Sequence, residues 1–260
     1  VAGRRRRRNS RGSLRSLMNR SPLHVLVTRP DGQQQTLVRS LSEAGFAVSH
    51  QSALCIEPLE ITAAGRNLLL NLDQYHAVFF VSTNAARLAL QALDALWPQW
   101  PVGVHWLAVG PATAEVLATA GMAAELPRTG FDSEALLELD CLRDLPGKRV
   151  LICRGEGGRE LVAETLQRRG AEVDVLPLYR RVCNSGFVWP AEPVDAVLVT
   201  SLQGWQCIAG HVPPSCRVVV ASERIAETIA GRHRVTVAAS ARDQDMLAAA
   251  MRLADQSVVG

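Results

Sequence analysis

RVLICRGEGGRELVAETLQRRGAEVDVLPLYRR, residues 149–181, decides the fold. Val150 to Cys153 form a short apolar run suited to a strand buried on both faces, and the glycines at 155, 157 and 158 end it. A helix is predicted immediately afterwards. Val162 and Leu166 mark its buried stripe, Arg168 and Arg169 occupy the last turn, where the helix dipole favours cations, and Gly170 stops it. Val173–Leu178 is the second strand, and Tyr179 follows it.

The loop RGEGGRE is not a dinucleotide fingerprint, because close helix packing there demands glycine at the sixth position, which is Glu160. No Lys-Ser/Thr pair follows, which excludes a Walker loop. The glycines still let backbone approach a ligand, and N–H groups at a helix start attract anions. A tight turn with no ligand fits these residues alone equally well.

Near the start of the chain the same grammar returns. HVLVTRPDGQQQTLVRSLSEAGFAV aligns with RVLICRGEGGRELVAETLQRRGAEV without a gap, His24 over Arg149 and Gly45 over Gly170. It predicts a strand at Leu23–Arg29, a helix with Leu37, Leu41 and Ala44 on one face, and a strand at Phe46–Ser49. Further on, AVFFVST (77–83) matches AVLVTS (196–201), WLAVGPATA (106–114) matches VVVASERIA (218–226), and DSEAL (132–136) matches DQDML (243–247). The order is the same in both halves, so the chain is an internal repeat. Strands alternating with helices imply parallel, helix-covered sheets, and two copies imply two such domains. Either each half folds alone, or the first unit of each half is exchanged; the pattern leaves both open.

In such sheets ligands sit beyond the carboxyl ends of the strands. The loops there are Thr28-Arg29-Pro30, Ser82-Thr83-Asn84, Gly110-Pro111-Ala112-Thr113, Arg154 to Gly158, Thr200 to Gln203 and Ser222-Glu223-Arg224. Rich in Gly, Ser, Thr and Asn with a few arginines, they suit a polyanion, although helix capping alone explains many of the hydroxyls. They hold no Ser-His-Asp set and no cysteine in a basic pocket.

With 260 residues, 48% of them hydrophobic, the chain can build two ordinary domains. No apolar run approaches the ~18 residues of a membrane span. The six cysteines (55, 141, 153, 183, 207, 216) form no CxxC pair and are expected to be reduced core residues of a cytoplasmic protein. The histidines are scattered, without HExxH or a His/Cys cluster, so no metal site is expected. Eight of the 28 basic residues lie within the first twenty, which carry no acid; the remainder, 20 basic against 25 acidic, is net −5. Residues 1–21 are expected to be a disordered basic arm, or sequence upstream of a start near Met18. Nucleic-acid or membrane binding by the arm is the lesser alternative, and no apolar segment follows the arginines to make a secretory signal.

LVTRP near the start, RGEGGRELVAETLQRRGAEV followed by Tyr179, VTS in a late strand, VVVASERIA and the closing DQDMLAAAM together resemble the bacterial uroporphyrinogen-III synthase family across residues 23–256. The resemblance implies the exchanged arrangement, two similar flavodoxin-like α/β domains joined by a two-stranded linker. One domain would comprise 22–54 plus 184–256 and the other 59–176, with linkers at 55–58 and 177–183 and an active site in the cleft between them. It also implies closure of the linear tetrapyrrole hydroxymethylbilane to uroporphyrinogen III, with loss of water and inversion of ring D, by a monomer without cofactor or metal. Tyr179 would be the acid or hydrogen-bond donor to the leaving hydroxyl. Substrate contacts would come from Ser82, Thr83, Asn84, Thr113, Ser201 and Ser222, with Gly110, Gly155 and Gly157 giving backbone access and Arg29 and Arg154 pairing with carboxylates. Where many relatives carry Gly-x-Thr-Thr, this chain has Ser222-Glu223-Arg224-Ile225, which weakens the mapping at Ser222. The alternative reading is a two-domain polyanion- or tetrapyrrole-binding protein without catalysis.

Overall fold

The computed structural model describes residues 22–128, 130, 133–158, 160–229 and 231–256; the basic arm lies outside them. The first segment contains β1 (His24–Val27), α1 (Gln35–Glu43) and β2 (Ala47–His50). The middle segment runs β3 (Leu54–Pro58), α2 (Ala63–Leu70), β4 (Ala77–Phe80), α3 (Thr83–Leu93), β5 (His105–Ala108), α4 (Pro111–Ala118), the single turn α5 (Ser133–Leu136), β6 (Arg149–Gly155), α6 (Leu161–Arg168) and β7 (Glu172–Cys183). The last holds β8 (Ala196–Val199), α7 (Leu202–Ile208), β9 (Arg217–Val220), α8 (Glu223–Ile229), β10 (Val235–Val237) and α9 (Asp243–Gln256).

These elements form two sheets, in the order β10-β9-β8-β1-β2 and β3-β7-β6-β4-β5. The chain divides accordingly into two compact units, the described residues up to Cys55 with those from Cys183 onward, and Ile56–Val182. Pairing is parallel along β2-β1-β8-β9-β10 in the first unit and along β7-β6-β4-β5 in the second. The repeat explains both orders. β1-α1-β2 corresponds to β6-α6-β7, and β8-α7-β9 to β4-α3-β5, so each sheet joins the opening motif of one half to the later strands of the other. The order β2-β1-β8-β9 is therefore the same as β7-β6-β4-β5.

The strands are apolar on both sides because both faces are covered. In the second unit Val78, Phe80, Leu151 and Cys153 enter one core cluster, whereas Ala77, Phe79, Val150 and Ile152 enter another, the period-2 alternation of a doubly packed sheet. In the first unit Val25, Leu26, Val27, Val218, Val219 and Val220 are all essentially inaccessible. Gly45 and Gly170 have φ of +91° and +93°, so the two matched helices end on the same left-handed stop. A polar network at the margin of the second unit's core ties the starts of β6 and β7 together: Asp174 accepts from Tyr75 Oη at 2.7 Å and from Arg149 Nη2 at 2.8 Å. Burial and then this hydrogen bond push the Tyr75 phenol well above its usual range.

Two expectations are corrected. Ala44 is exposed, because α1 ends at Glu43 and Ala44 serves as its C-cap. Cys183 and Cys207 form a disulfide rather than two free thiols. They lie 24 residues apart in sequence, where no short motif marks them, yet the end of β7 passes α7 with the two Cα atoms 5.2 Å apart. Cys55, Cys141, Cys153 and Cys216 are free.

Closing that loop restricts the unfolded chain, by an amount that loop entropy puts at roughly 3 kcal/mol. Urea unfolding under non-reducing conditions is expected to show Cys207→Ser destabilised by about that amount. A reductant should lower the native protein to the level of the variant and leave the variant unmoved.

Candidate functional site

In the second unit the carboxyl ends of β4, β5, β6 and β7 carry most of the candidate residues, and β7 sets their geometry. Its register against β6 shifts at Arg154/Gly155: Pro177 sits opposite Arg154, but Tyr179 rather than Leu178 sits opposite Gly155. The extra residue re-aims the strand. In a regular strand Leu178 and Tyr179 would face opposite sides of the sheet; here both enter the core cluster that also holds Leu176.

The Tyr179 ring consequently lies directly on Gly155. A β-carbon at Gly155 would stand 2.6 Å from Tyr179 Cε2 and 2.7 Å from Cζ, so only glycine fits beneath the ring. Glu156 N–H donates to the Tyr179 carbonyl at 2.7 Å and fixes the backbone on the other side of the pair. The residue is 1% exposed, and its hydroxyl is 3.0 Å from Ser82 Oγ. Ser82 is the N-cap of α3, its Oγ accepting from Ala85 N–H at 3.1 Å. Arg181, exposed and two residues further along β7, brings Nη2 to 3.5 Å from the hydroxyl and its guanidinium carbon to 5.8 Å from the ring centre.

The other predicted residues of this unit flank that group. Thr83 and Asn84 begin α3, half-buried. Gly110 is the N-cap of α4 and has no side chain to cap it, and Thr113, in the first turn, is 3% exposed. Gly157 has φ +67°. Arg154 is closed onto its own loop, with Nη2 2.6 Å from Glu160 Oε1 and Nη1 3.2 Å from the Gly158 carbonyl. In the first unit Ser201 caps α7 by accepting from Gly204 N–H at 3.0 Å, and Ser222 precedes α8, its carbonyl accepting from Ile225 and Ala226 N–H. Arg29 is held by Asp243 and by the Ala241 carbonyl. Both arginines expected to meet carboxylates are thus already engaged by acids of the protein. Sequence reading missed Arg181, which its i+2 relation to Tyr179 along one strand could have indicated. It also missed a His105–Glu125–Cys141 group at the opposite end of the second sheet.

The family model for Uroporphyrinogen-III synthase HemD matches residues 24–248, almost the whole described chain. The chain belongs to the uroporphyrinogen-III synthase family. Uroporphyrinogen-III synthase of Escherichia coli strain K12 is 33% identical over 228 residues, covering 79% of this chain and 89% of that protein. The Salmonella typhimurium strain LT2 enzyme of the same name is 34% identical over 225 residues, with 78% and 89% covered. Among solved structures, uroporphyrinogen-III synthetase from Helicobacter pylori 26695 superposes with a TM-score of 0.57 at 14% identity, covering 89% of this chain and 99% of that one. A mutant uroporphyrinogen III synthase from the extreme thermophile Thermus thermophilus gives 0.52 at 17%, with 90% and 99% covered. At these identities the superpositions speak for a shared mixed α/β fold with two parallel-dominated sheets.

Within this member of the family, Gly155 is the tightest constraint on the site. Gly155→Ala is expected to destabilise the protein by about 1–3 kcal/mol through overpacking against the Tyr179 ring. Gly158→Ala, whose nearest neighbour is the flexible Arg154 side chain at 3.2 Å, should cost less, about 1 kcal/mol at most. Parallel urea titrations of the two variants check the difference.

Proposed function

We infer that this chain closes hydroxymethylbilane to uroporphyrinogen III with loss of water and inversion of ring D, the cyclisation step of haem biosynthesis. The observation that carries this is the family match over residues 24–248, and curated relatives named as synthases favour it over binding without turnover. We read the two units as flavodoxin-like domains with 55–58 and 177–183 as linkers, and the protein as a cytoplasmic monomer that needs neither cofactor nor nucleic acid.

The chemistry asks little of the protein beyond holding, ionising and orienting. A pyrrole expels the hydroxyl with its own electrons, so an acid near the leaving oxygen helps and a strong nucleophile is unnecessary. The Tyr179–Ser82 pair supplies that acid. Ser82 Oγ has two acceptor positions, one filled by Ala85 N–H and one available to the Tyr179 hydroxyl, which leaves the serine proton directed outward. Ser82 is half-buried whereas Tyr179 is not accessible, so the serine is the end of the relay that meets the leaving group. The positive charge of Arg181 beside the phenol stabilises the electron density left behind when the proton moves.

The acetate and propionate groups need donors. The first-turn N–H groups of α3, at Thr83 and Asn84, and of α4, at Ala112, have no partner within their helices and lie at the positive ends of the helix dipoles. Ser201 and Ser222 mark comparable helix starts in the first unit, and Gly157 lets the 154–158 loop bring its backbone close. Arg29 and Arg154 contribute by exchanging Asp243 and Glu160 for substrate carboxylates. Choice of the inverted isomer is a matter of orientation, since the ring D carbon that attacks is set by how the chain is folded.

The test is a coupled assay in which freshly generated hydroxymethylbilane is given to the purified protein, the products are oxidised, and the type I and type III isomers are separated. A protein-dependent excess of type III is expected; type I alone from a folded sample would sink the reading. In the same assay Tyr179→Phe and Ser82→Ala should each lower turnover at least tenfold, against the roughly 10²–10⁴ that a positioned proton donor contributes. A Tyr179→Phe enzyme as fast as the native one would remove the phenol from the mechanism.

A further inference from the structure

We propose that His105, Glu125 and Cys141 form a binding site for one zinc-class divalent cation, at the end of the second unit's sheet opposite Tyr179. The three are 20 and 16 residues apart in sequence and come from different elements. His105 opens β5, Glu125 makes a parallel bridge to Leu107 beside that strand, and Cys141 lies in the 3-10 turn Asp140–Leu142. One ligand atom from each falls within 4.8 Å of the other two, and His105 Nδ1 is already 2.5 Å from Glu125 Oε1.

The scaffold holds these donors rather than leaving them on loose side chains. Glu125 is pinned to β5 at both its backbone groups, donating to the Trp106 carbonyl at 2.7 Å and accepting from Ala108 N–H at 3.0 Å. The Cys141 carbonyl is 2.8 Å from His76 Nε2, and the His76 ring packs 4.9 Å from that of His105. Outer contacts of this kind orient metal ligands. Glu125 stands at the edge of β5 where the first unit has the whole strand β10 beside β9, so it takes the place of a strand while bearing the carboxylate.

One imidazole, one carboxylate and one thiol select a borderline-soft ion over magnesium or calcium, which take oxygen ligands. Three protein ligands leave the fourth tetrahedral position to water, and the partial exposure of His105 and Glu125 gives the ion a way in. A dication bound at the centre takes the Cys141 thiolate, and the thiol proton is released to solvent. Tyr179 and the loops around it lie at the other ends of the same strands, so the site acts on the fold and supplies nothing to the cyclisation.

The test is titration of the untagged, chelator-stripped full chain with Co²⁺, a spectroscopic stand-in for zinc. One equivalent should generate a near-ultraviolet thiolate-to-cobalt charge-transfer band with tetrahedral visible bands, and Zn²⁺ should abolish them. Cys141→Ser should lose the charge-transfer band, His105→Ala should weaken cobalt binding at least about tenfold, and Cys55→Ser should behave as the native protein. No band from the native chain in excess cobalt, or a band that survives Cys141→Ser, overturns the proposal and leaves the group a hydrogen-bonded cluster.

Discussion

A tyrosine ring resting on a glycine is the contact on which the site depends. Because Gly155 has no β-carbon, the ring of Tyr179 can lie on the backbone of β6, and because β7 slips by one residue there, the ring turns into the core instead of toward the far face of the sheet. Both conditions are needed. Without the shift Tyr179 would alternate away from Leu178, and with any side chain at 155 the hydroxyl would be displaced from Ser82. Ser82 is fixed independently, by its duty as the N-cap of α3. A strand irregularity and a helix cap, each explicable by backbone hydrogen bonding, together place two hydroxyls 3.0 Å apart.

Magnitudes bound what the proposed role of this pair can contribute. A single positioned acid contributes roughly 10²–10⁴ in rate, whereas holding reacting groups in register can contribute on the order of 10⁵ or more. A reaction whose leaving group is already pushed out by a pyrrole needs the second effect more than the first. The loops carry capping hydroxyls, bare backbone and a few arginines rather than a nucleophile, and that composition suits a protein whose main work is to hold a flexible polyanion in one folded arrangement. The ion pairs closing Arg29 and Arg154 belong to the same logic. Each guanidinium keeps a counter-charge, which avoids an uncompensated charge in a partly buried position; under the proposed function a substrate carboxylate would take its place.

Much of the fold was legible because parallel sheets covered on both faces demand continuous apolar strands, and the gapless match of 24–48 with 149–173 exposed the duplication. Pattern alone could not say which copies share a sheet, since strand pairing between distant segments leaves no local mark. Ala44 was misplaced because a helix end is fixed by cap geometry rather than by periodicity. The Cys183–Cys207 bond and the His105–Glu125–Cys141 group were invisible for a common reason: their members are brought together by tertiary packing across 20 or more residues of chain, or by a turn whose position no motif records. The register shift that aims Tyr179 was hidden too, although Pro177 and the neighbouring apolar Leu178 and Tyr179 already broke the alternation of a regular strand.

The duplication also separates what the fold requires from what the chemistry adds. Ser82 and Ser201 occupy matched positions after β4 and β8, and each caps its helix by accepting from the N–H three residues on. That role is common to both units and belongs to the scaffold. Continuing the gapless match of the opening motifs puts Pro30 where Gly155 stands and Leu54 where Tyr179 stands. The first unit therefore has the capping serine without either the glycine floor or the phenol. Folding a helix start does not explain a buried tyrosine hydroxyl beside the serine in one unit alone, since the other forms the same cap without it. Retaining a buried polar group costs desolvation, and a hydrogen bond to Ser82 only offsets it. The asymmetry between two otherwise equivalent helix starts is thus the strongest physical reason, apart from any relative, to place the chemistry at Tyr179 and Ser82.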